Sequence, residues 1–202
     1  LMREIHHLGV NSFGLVLFTS IFFGAVVAIQ MYNNFSASTF PIPNSFIGYA
    51  TKVVLILEFA PTIISVILAG KVGSYIASSI GTMRVTEQID ALDIMGVNSP
   101  NFLILPKILA SVIFNPLLIL ISIVFGIWGG YLAGIATGNW SKADYITGIQ
   151  MYMPDHFIWY AIFKTAVFAF LIASIPAFFG YNVKGGSLEV GRASTQAVVW
   201  TI

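Results

Sequence analysis

FGLVLFTSIFFGAVVAIQMY, residues 13–32, runs for 20 residues without a charged side chain. At 1.5 Å per residue a helix of that length covers about 30 Å, the depth of a bilayer's hydrocarbon core, so the stretch predicts a membrane-spanning helix. A helix is the form that satisfies every backbone N–H and C=O where no water is present. The remainder of the 202 residues has the same character: 57% are hydrophobic and 8% charged, against about 25% charged in an ordinary soluble domain. Too few charges remain to cover a water-facing surface, which excludes a soluble globular fold. The high hydrophobicity equally excludes disorder. Seventeen Phe, eight Tyr and four Trp suit a lipid-facing surface with aromatic belts. A net charge of +1 offers no footprint for nucleic acid. The absence of cysteine removes disulfides, thiolate metal sites and cysteine nucleophiles. The class read from these facts is an all-α polytopic membrane protein.

Outward from the first span the pattern repeats. Residues 1–12 carry Arg3, Glu4, His6 and His7 and are no cleavable signal peptide. The chain begins at Leu1 and stops at Ile202 inside an apolar run, so both ends are expected to be trimmed. Residues 33–44, with Pro41 and Pro43, read as a loop. A second span, 46–69, contains Lys52, Glu58 and Pro61, and 70–101 is too polar to span. Residues 102–137 are apolar apart from Lys107 and predict one long tilted helix kinked at Pro116. A short helix is expected over 142–153, a fourth span over 157–181, and the opening of a fifth over 197–202. Arg3, Lys71, Arg84, Lys107, Lys184 and Arg192 gather on one side of these spans, and Lys52 and Lys142 on the other. That asymmetry predicts a cytoplasmic N-terminus and a cytoplasmic 70–101 segment.

Three features stand out as candidates for function. Over 84–95, Val85, Ile89 and Leu92 share one helical face and Glu87, Asp90 and Asp93 another, with Thr82 as the expected N-cap and Gly96 as the stop. An acidic stripe suits the negative cytoplasmic leaflet poorly, which favours a docking helix for a soluble partner over a helix lying on the bilayer. Gly126, Gly130, Gly134 and Gly138 form a ladder beside Gly129. Glycines let helices approach closely. The expected partner row is Ala169, Ala173 and Ala177 on the fourth span, with a subunit interface as the alternative. Glu58 lies near mid-span, where a carboxylate is costly and is expected to face a cavity, a partner or another subunit, or to be protonated. Lys164 is its candidate partner or a binder of an anionic headgroup, the alternative being a side chain that snorkels to the interface. Pro61, one turn after Glu58, frees a backbone carbonyl. Asn115 is a weaker candidate that would bond a neighbouring helix. No phosphate loop, zinc-protease or hydrolase motif occurs, and the adjacent His6 and His7 point apart on a helix, so no catalytic residue or metal ligand is assigned. Asp155–His156 reads as an interfacial hydrogen bond.

The run Gly81-Thr-Met-Arg-Val-Thr-Glu-Gln-Ile-Asp-Ala-Leu92, followed by Met95-Gly-Val97 and Pro100, resembles the MlaE permease family, the membrane subunits of ABC-type lipid transporters that work with MCE-domain proteins. Further similarity follows in order along the chain: Leu57-Glu58-Phe-Ala-Pro61, Ala69-Gly-Lys-Val-Gly73, Gly126-Ile-Trp-Gly-Gly130, and Lys184-Gly-Gly with Gly191-Arg-Ala193 and Thr195. The resemblance implies an N-terminal interfacial helix (1–12) followed by five transmembrane helices, the fifth truncated here, in a homodimer in the cell inner membrane. It implies that 82–96 is a cytoplasmic coupling helix seated on an ABC ATPase subunit through Arg84, Glu87, Gln88 and Asp90. It also implies no cofactor in this chain, with ATP and Mg on the partner ATPase, an MCE-domain protein outside the membrane, a periplasmic helix at 142–153, and a small accessory subunit on the ATPase. Phospholipid would lie in a cavity around Glu58 and Lys164, its acyl chains on Phe22, Phe23, Val26, Leu55 and Phe59. The implied function is ATP-driven transfer of phospholipid between the membrane and the MCE protein; the alternative is a scaffold that anchors both partners without moving lipid. The chain departs from the family pattern at Leu57, where many relatives carry Arg, and at Ser79, where many carry Glu. Lys52 and Lys164 are the cations available to replace the missing arginine.

Overall fold

A computed structural model describes residues 2–202, except the side chains of Met2 and Arg3; the Leu1 start of the expected 1–12 helix and the Arg3 charge lie outside the described residues. The described chain is all-α. Four helices are long and apolar enough to cross a membrane: α1 (His6–Ser36), α2 (Ser45–Val85), α4 (Ser99–Thr137) and α6 (His156–Tyr181). Shorter helices complete the chain: α3 (Gln88–Ile94), α5 (Lys142–Gln150) and α7 (Ser187–Thr201).

Four boundaries differ from the sequence reading. The turn Met2–Ile5 runs into α1 through the π-helical stretch His6–Val10, so no non-helical residue sets off a separate 1–12 helix. Helix α2 continues past 69 to Val85. Lys71 and the serines of this segment look like loop residues, but Ile76, Ala77, Ile80 and Gly81 are buried on one face. Ser74 and Ser78 return their hydroxyls to the carbonyls of Lys71 and Tyr75 at 3.1 Å, so they do not interrupt the helix. The expected 82–96 helix is cut in two at Thr86 and Glu87, leaving Gln88–Ile94 as the independent part. The last helix starts at Ser187 rather than 197, because Val190 and Ala197 give it a buried face within a polar sequence.

Two compact units emerge. One consists of Leu1–Phe13, Ser65–Pro116 and Thr165–Ile202. Within it, Gly73 faces Pro176, Gly180 faces Ala77, and Gly81 faces Val183 and Val190, so the second half of α2 packs on α6 and α7 through small residues. Ser194 donates to the Ser74 carbonyl at 3.2 Å. Lys107, 4% exposed, pairs with Glu4 at 2.9 Å, and the Lys71 ammonium donates to the Asn11 carbonyl. Asn115 is buried, but its Nδ2 has no hydrogen-bond acceptor, so the expected bond to a neighbouring helix is not made.

The other unit consists of Gly14–Ile64 and Leu117–Lys164. Here the glycine ladder packs on α1 and α5 instead of the alanine row of α6. A Cβ on Gly24 would overlap the Gly126 carbonyl, and one on Gly129 would overlap the Ile21 carbonyl, so α1 and α4 touch backbone to backbone. Gly130 abuts the Tyr145 hydroxyl and Gly134 the Trp140 indole. Gly138 takes no part in packing: its φ of +68° ends α4, and its N–H closes on the Gly134 carbonyl at 2.9 Å. Ala28, Ile47, Ala133, Trp140 and Tyr145 form the buried centre. The Tyr145 hydroxyl donates to the Ile127 carbonyl at 3.1 Å, and burial pushes its ionisation well above the usual tyrosine range. Lys52 donates to the carbonyls of Ile149 and Met151 at 2.8 and 2.7 Å, closing the C-terminal end of α5.

Adding a methyl at the α1–α4 contact should therefore be costly. Gly24→Ala and Gly129→Ala are each expected to destabilise by about 2 kcal/mol or more, as overpacking against backbone does. Gly14→Ala and Gly70→Ala, whose added Cβ meets nothing within 4 Å, should be neutral or mildly stabilising in the same detergent melts.

Candidate functional site

The site begins with a proline. Pro61 lies inside the π-helical stretch Leu55–Ile64 of α2. Having no N–H, it cannot donate to a carbonyl of the preceding turn, which in the i→i−5 register of this stretch is that of Ile56. One residue on, Lys164 of α6 donates to the Leu57 oxygen, with its Nζ 3.2 Å away. The same ammonium is 3.4 Å from Glu58 Oε2 and 5.7 Å from the centre of the Tyr160 ring. The two partners differ in surroundings. The Lys164 side chain is 18% exposed and that of Glu58 67%, so the lysine is fixed from behind while the carboxylate faces outward. Lys52, the other candidate cation, is spent on the end of α5 and does not reach this group.

The same unit holds a narrow apolar cleft. Phe23, Leu55 and Phe59 line it with Ala60, Ile63 and Ile64, and Ser20 and Ser122 are its polar members. Phe23 and Phe59 meet at 6.4 Å between ring centres. The five expected apolar wall residues are not one wall. Phe22 turns to a separate, more open groove with Phe18, Ala25 and Leu132, and Val26 lines neither. Consecutive helix positions point about 100° apart, and here that separates Phe22 from Phe23. The two serines went unnoticed because each returns its hydroxyl to its own helix, leaving no polarity signal of a site.

The second group is the elbow between α2 and α3. Thr86 Oγ1 donates to the Thr82 carbonyl at 2.8 Å, and Glu87 follows with φ 58° and ψ 14°, the only non-glycine positive φ among the described residues. Arg84 Nη1 spans the turn to Asp90 Oδ1 at 2.6 Å and lies 5.9 Å from the Tyr181 ring centre. Thr82 is therefore internal to α2 rather than a cap. Glu87, Gln88 and Asp90 are exposed and Arg84 is half-buried. Of the expected apolar face only Ile89 is fully buried, holding α3 in place. The sequence reading missed Ile94 and Met95, 87% and 67% exposed at the tip of α3. Their signal was present: two apolar residues just before Gly96 that fall outside the Val85–Ile89–Leu92 face.

Comparison with known proteins adds a family. The family model described as Permease MlaE matches residues 1–202. A "Probable ABC transporter permease protein" of Rickettsia typhi is 40% identical over 201 residues, 98% of this chain and 76% of that protein. The "Intermembrane phospholipid transport system permease protein MlaE" of Haemophilus influenzae is 30% identical over 203 residues, 98% of this chain and 76% of its own length. The chloroplastic protein TRIGALACTOSYLDIACYLGLYCEROL 1 of Arabidopsis thaliana is 30% identical over 201 residues, 100% of this chain and 57% of that protein.

Lys164 gives the Leu57 carbonyl a donor from another helix, so Lys164→Met should destabilise by about 1 kcal/mol, the net worth of one hydrogen bond. Thermal unfolding in detergent reads the loss, and an unchanged midpoint would refute it.

Proposed function

The chain belongs to the MlaE permease family, and from that premise we propose that it is the permease subunit of an ABC-type phospholipid transporter, exchanging lipid between the inner membrane and an MCE-domain partner. ATP and Mg are handled by a separate ATPase subunit, which carries the small accessory subunit, and two copies of this chain form the lipid path. The N-terminus and the elbow face the cytoplasm, as the distribution of Lys and Arg favours.

The observation that carries this reading is the Lys164–Glu58 pair on the π segment that also lines the Phe23–Phe59 cleft. A phospholipid needs a cation for its phosphate and an apolar slot for its acyl chain, and one segment carries both. Lys164 brings an ammonium to the backbone of residue 57, where similar sequences carry Arg, so the cation is delivered from α6 instead of α2. A bound phosphate would take the place of the exposed Glu58 carboxylate on Lys164. The exchange swaps one anion for another, so the lysine never loses its counter-charge inside the membrane.

The elbow supports the ATP-driven half of the reading. Arg84–Asp90 braces the turn, and Ile94 and Met95 offer apolar anchors rimmed by Asp90 and Asp93. That is the surface expected of a helix seated in a groove of a soluble partner. Glu58 and Arg84 lie on the same long helix, Ser45–Val85.

Reconstitution of the assembled transporter in liposomes tests both parts. Lys164→Met is expected to slow transfer of a fluorescent phospholipid about tenfold while Lys164→Arg retains most of it; unchanged transfer by Lys164→Met would overturn the lipid role and favour a scaffold. Glu87→Lys should lower lipid-stimulated ATP hydrolysis with the unfolding midpoint of this subunit unchanged, and intact coupling would overturn the docking role of the elbow.

A further inference from the structure

Between the end of α6 and the start of α7 lies an open cleft with a divided lining. Phe178 and Phe179, on the last turn of α6, form an apolar wall, and Phe178 is 64% exposed. Lys184 on the connecting segment, with Arg192 and Gln196 one helical turn apart on α7, forms the facing polar wall. None of this polarity belongs to the lipid pair or to the elbow.

The charges are incompletely used. Lys184 makes no hydrogen bond or ion pair among the described residues. Arg192 gives Nη1 to Glu189 Oε1 at 2.7 Å, and the pair is largely solvent-exposed, leaving most of its five N–H donors free. Two cations against one carboxylate leave a net +1 in the cleft, the charge that complements a phosphodiester. An apolar wall alone fits any lipid-facing groove, and two cations alone fit a solvated face. Their combination at the end of the 26-residue apolar helix α6 occurs where hydrocarbon gives way to headgroups. A ligand that satisfies both walls carries an acyl chain and an anionic head on one molecule.

We propose that this cleft binds an anionic phospholipid of the phosphatidylglycerol class, its phosphate on Lys184 and Arg192 and the first part of an acyl chain on Phe178 and Phe179. The site is separate from the transport pair: it holds a lipid at the membrane boundary and does not require that lipid to move. Glu189 is the built-in competitor, occupying one side of the Arg192 fork until a phosphate displaces it. Zwitterionic lipids, whose own ammonium cancels their phosphate, gain little from the net +1.

The test uses the whole protein with its natural subunits in nanodiscs of mixed phosphatidylglycerol and phosphatidylcholine, with retained lipid counted by native mass spectrometry. The wild type should retain phosphatidylglycerol in preference to phosphatidylcholine. Lys184→Gln combined with Arg192→Gln should lower that preference about twentyfold, near fivefold for each charge removed from an anionic membrane contact. Glu189→Gln should move it the opposite way, a gain that a misfolded variant could not give. Unchanged preference in the double variant, or no gain in Glu189→Gln, would overturn the proposal. Displacement of phosphatidylglycerol by millimolar inorganic phosphate would also overturn it, assigning the cleft to a free anion. Retention is read without transfer, so failure here and failure of the transport reading are distinguishable.

Discussion

An ammonium inside hydrocarbon must be held by oxygens, and Lys164 finds two of them on α2, the Leu57 carbonyl and the Glu58 carboxylate. The intramembrane cation thereby acquires a fixed address on the π-helical stretch that contains Pro61. That stretch also carries Leu55 and Phe59 of the apolar cleft, and the lipid site proposed above is built on it.

The same use of lysine recurs across the chain. Lys52 closes the exposed carbonyls at the end of α5, and Lys71 reaches the Asn11 carbonyl. Lys107, itself buried, pairs with the partly exposed Glu4. With 8% of its residues charged, the chain uses three of its lysines as donors to backbone carbonyls. A long flexible stem lets the ammonium reach a distant oxygen while its methylenes lie against apolar neighbours.

The apolar runs and the scarcity of charge made the all-α membrane architecture legible, since nothing else satisfies a backbone in lipid. The Pro61 carbonyl and its neighbour Glu58 could be named for the same reason. What stayed hidden depended on neighbours. Ser74, Ser78 and Lys71 look like loop residues, and only their packing against α6 and α7 keeps α2 helical to Val85. Periodicity put Gly126 and Gly130 on one face but could not say that the face meets α1 and α5 rather than α6. The break at Glu87 was unreadable because a left-handed turn without glycine leaves no mark in composition; it is held by Thr86 and by Arg84–Asp90. Nor could hydropathy show that Phe22 and Phe23 serve different grooves.

The backbone contact of Gly24 with Gly126 and of Gly129 with Ile21 also bears on how the molecule can move. Each glycine accepts a partner whose carbonyl fills the place of a side chain. Sliding α1 along α4 by one residue would bring Phe23 or Ala25 into a notch sized for a hydrogen atom. The two helices are thus keyed like a shaft in its collar and turn as a single piece. Any rearrangement within this unit has to be taken up at other joints, and the π-helical stretch Leu55–Ile64 of α2, already off the α register, is the one this fold offers.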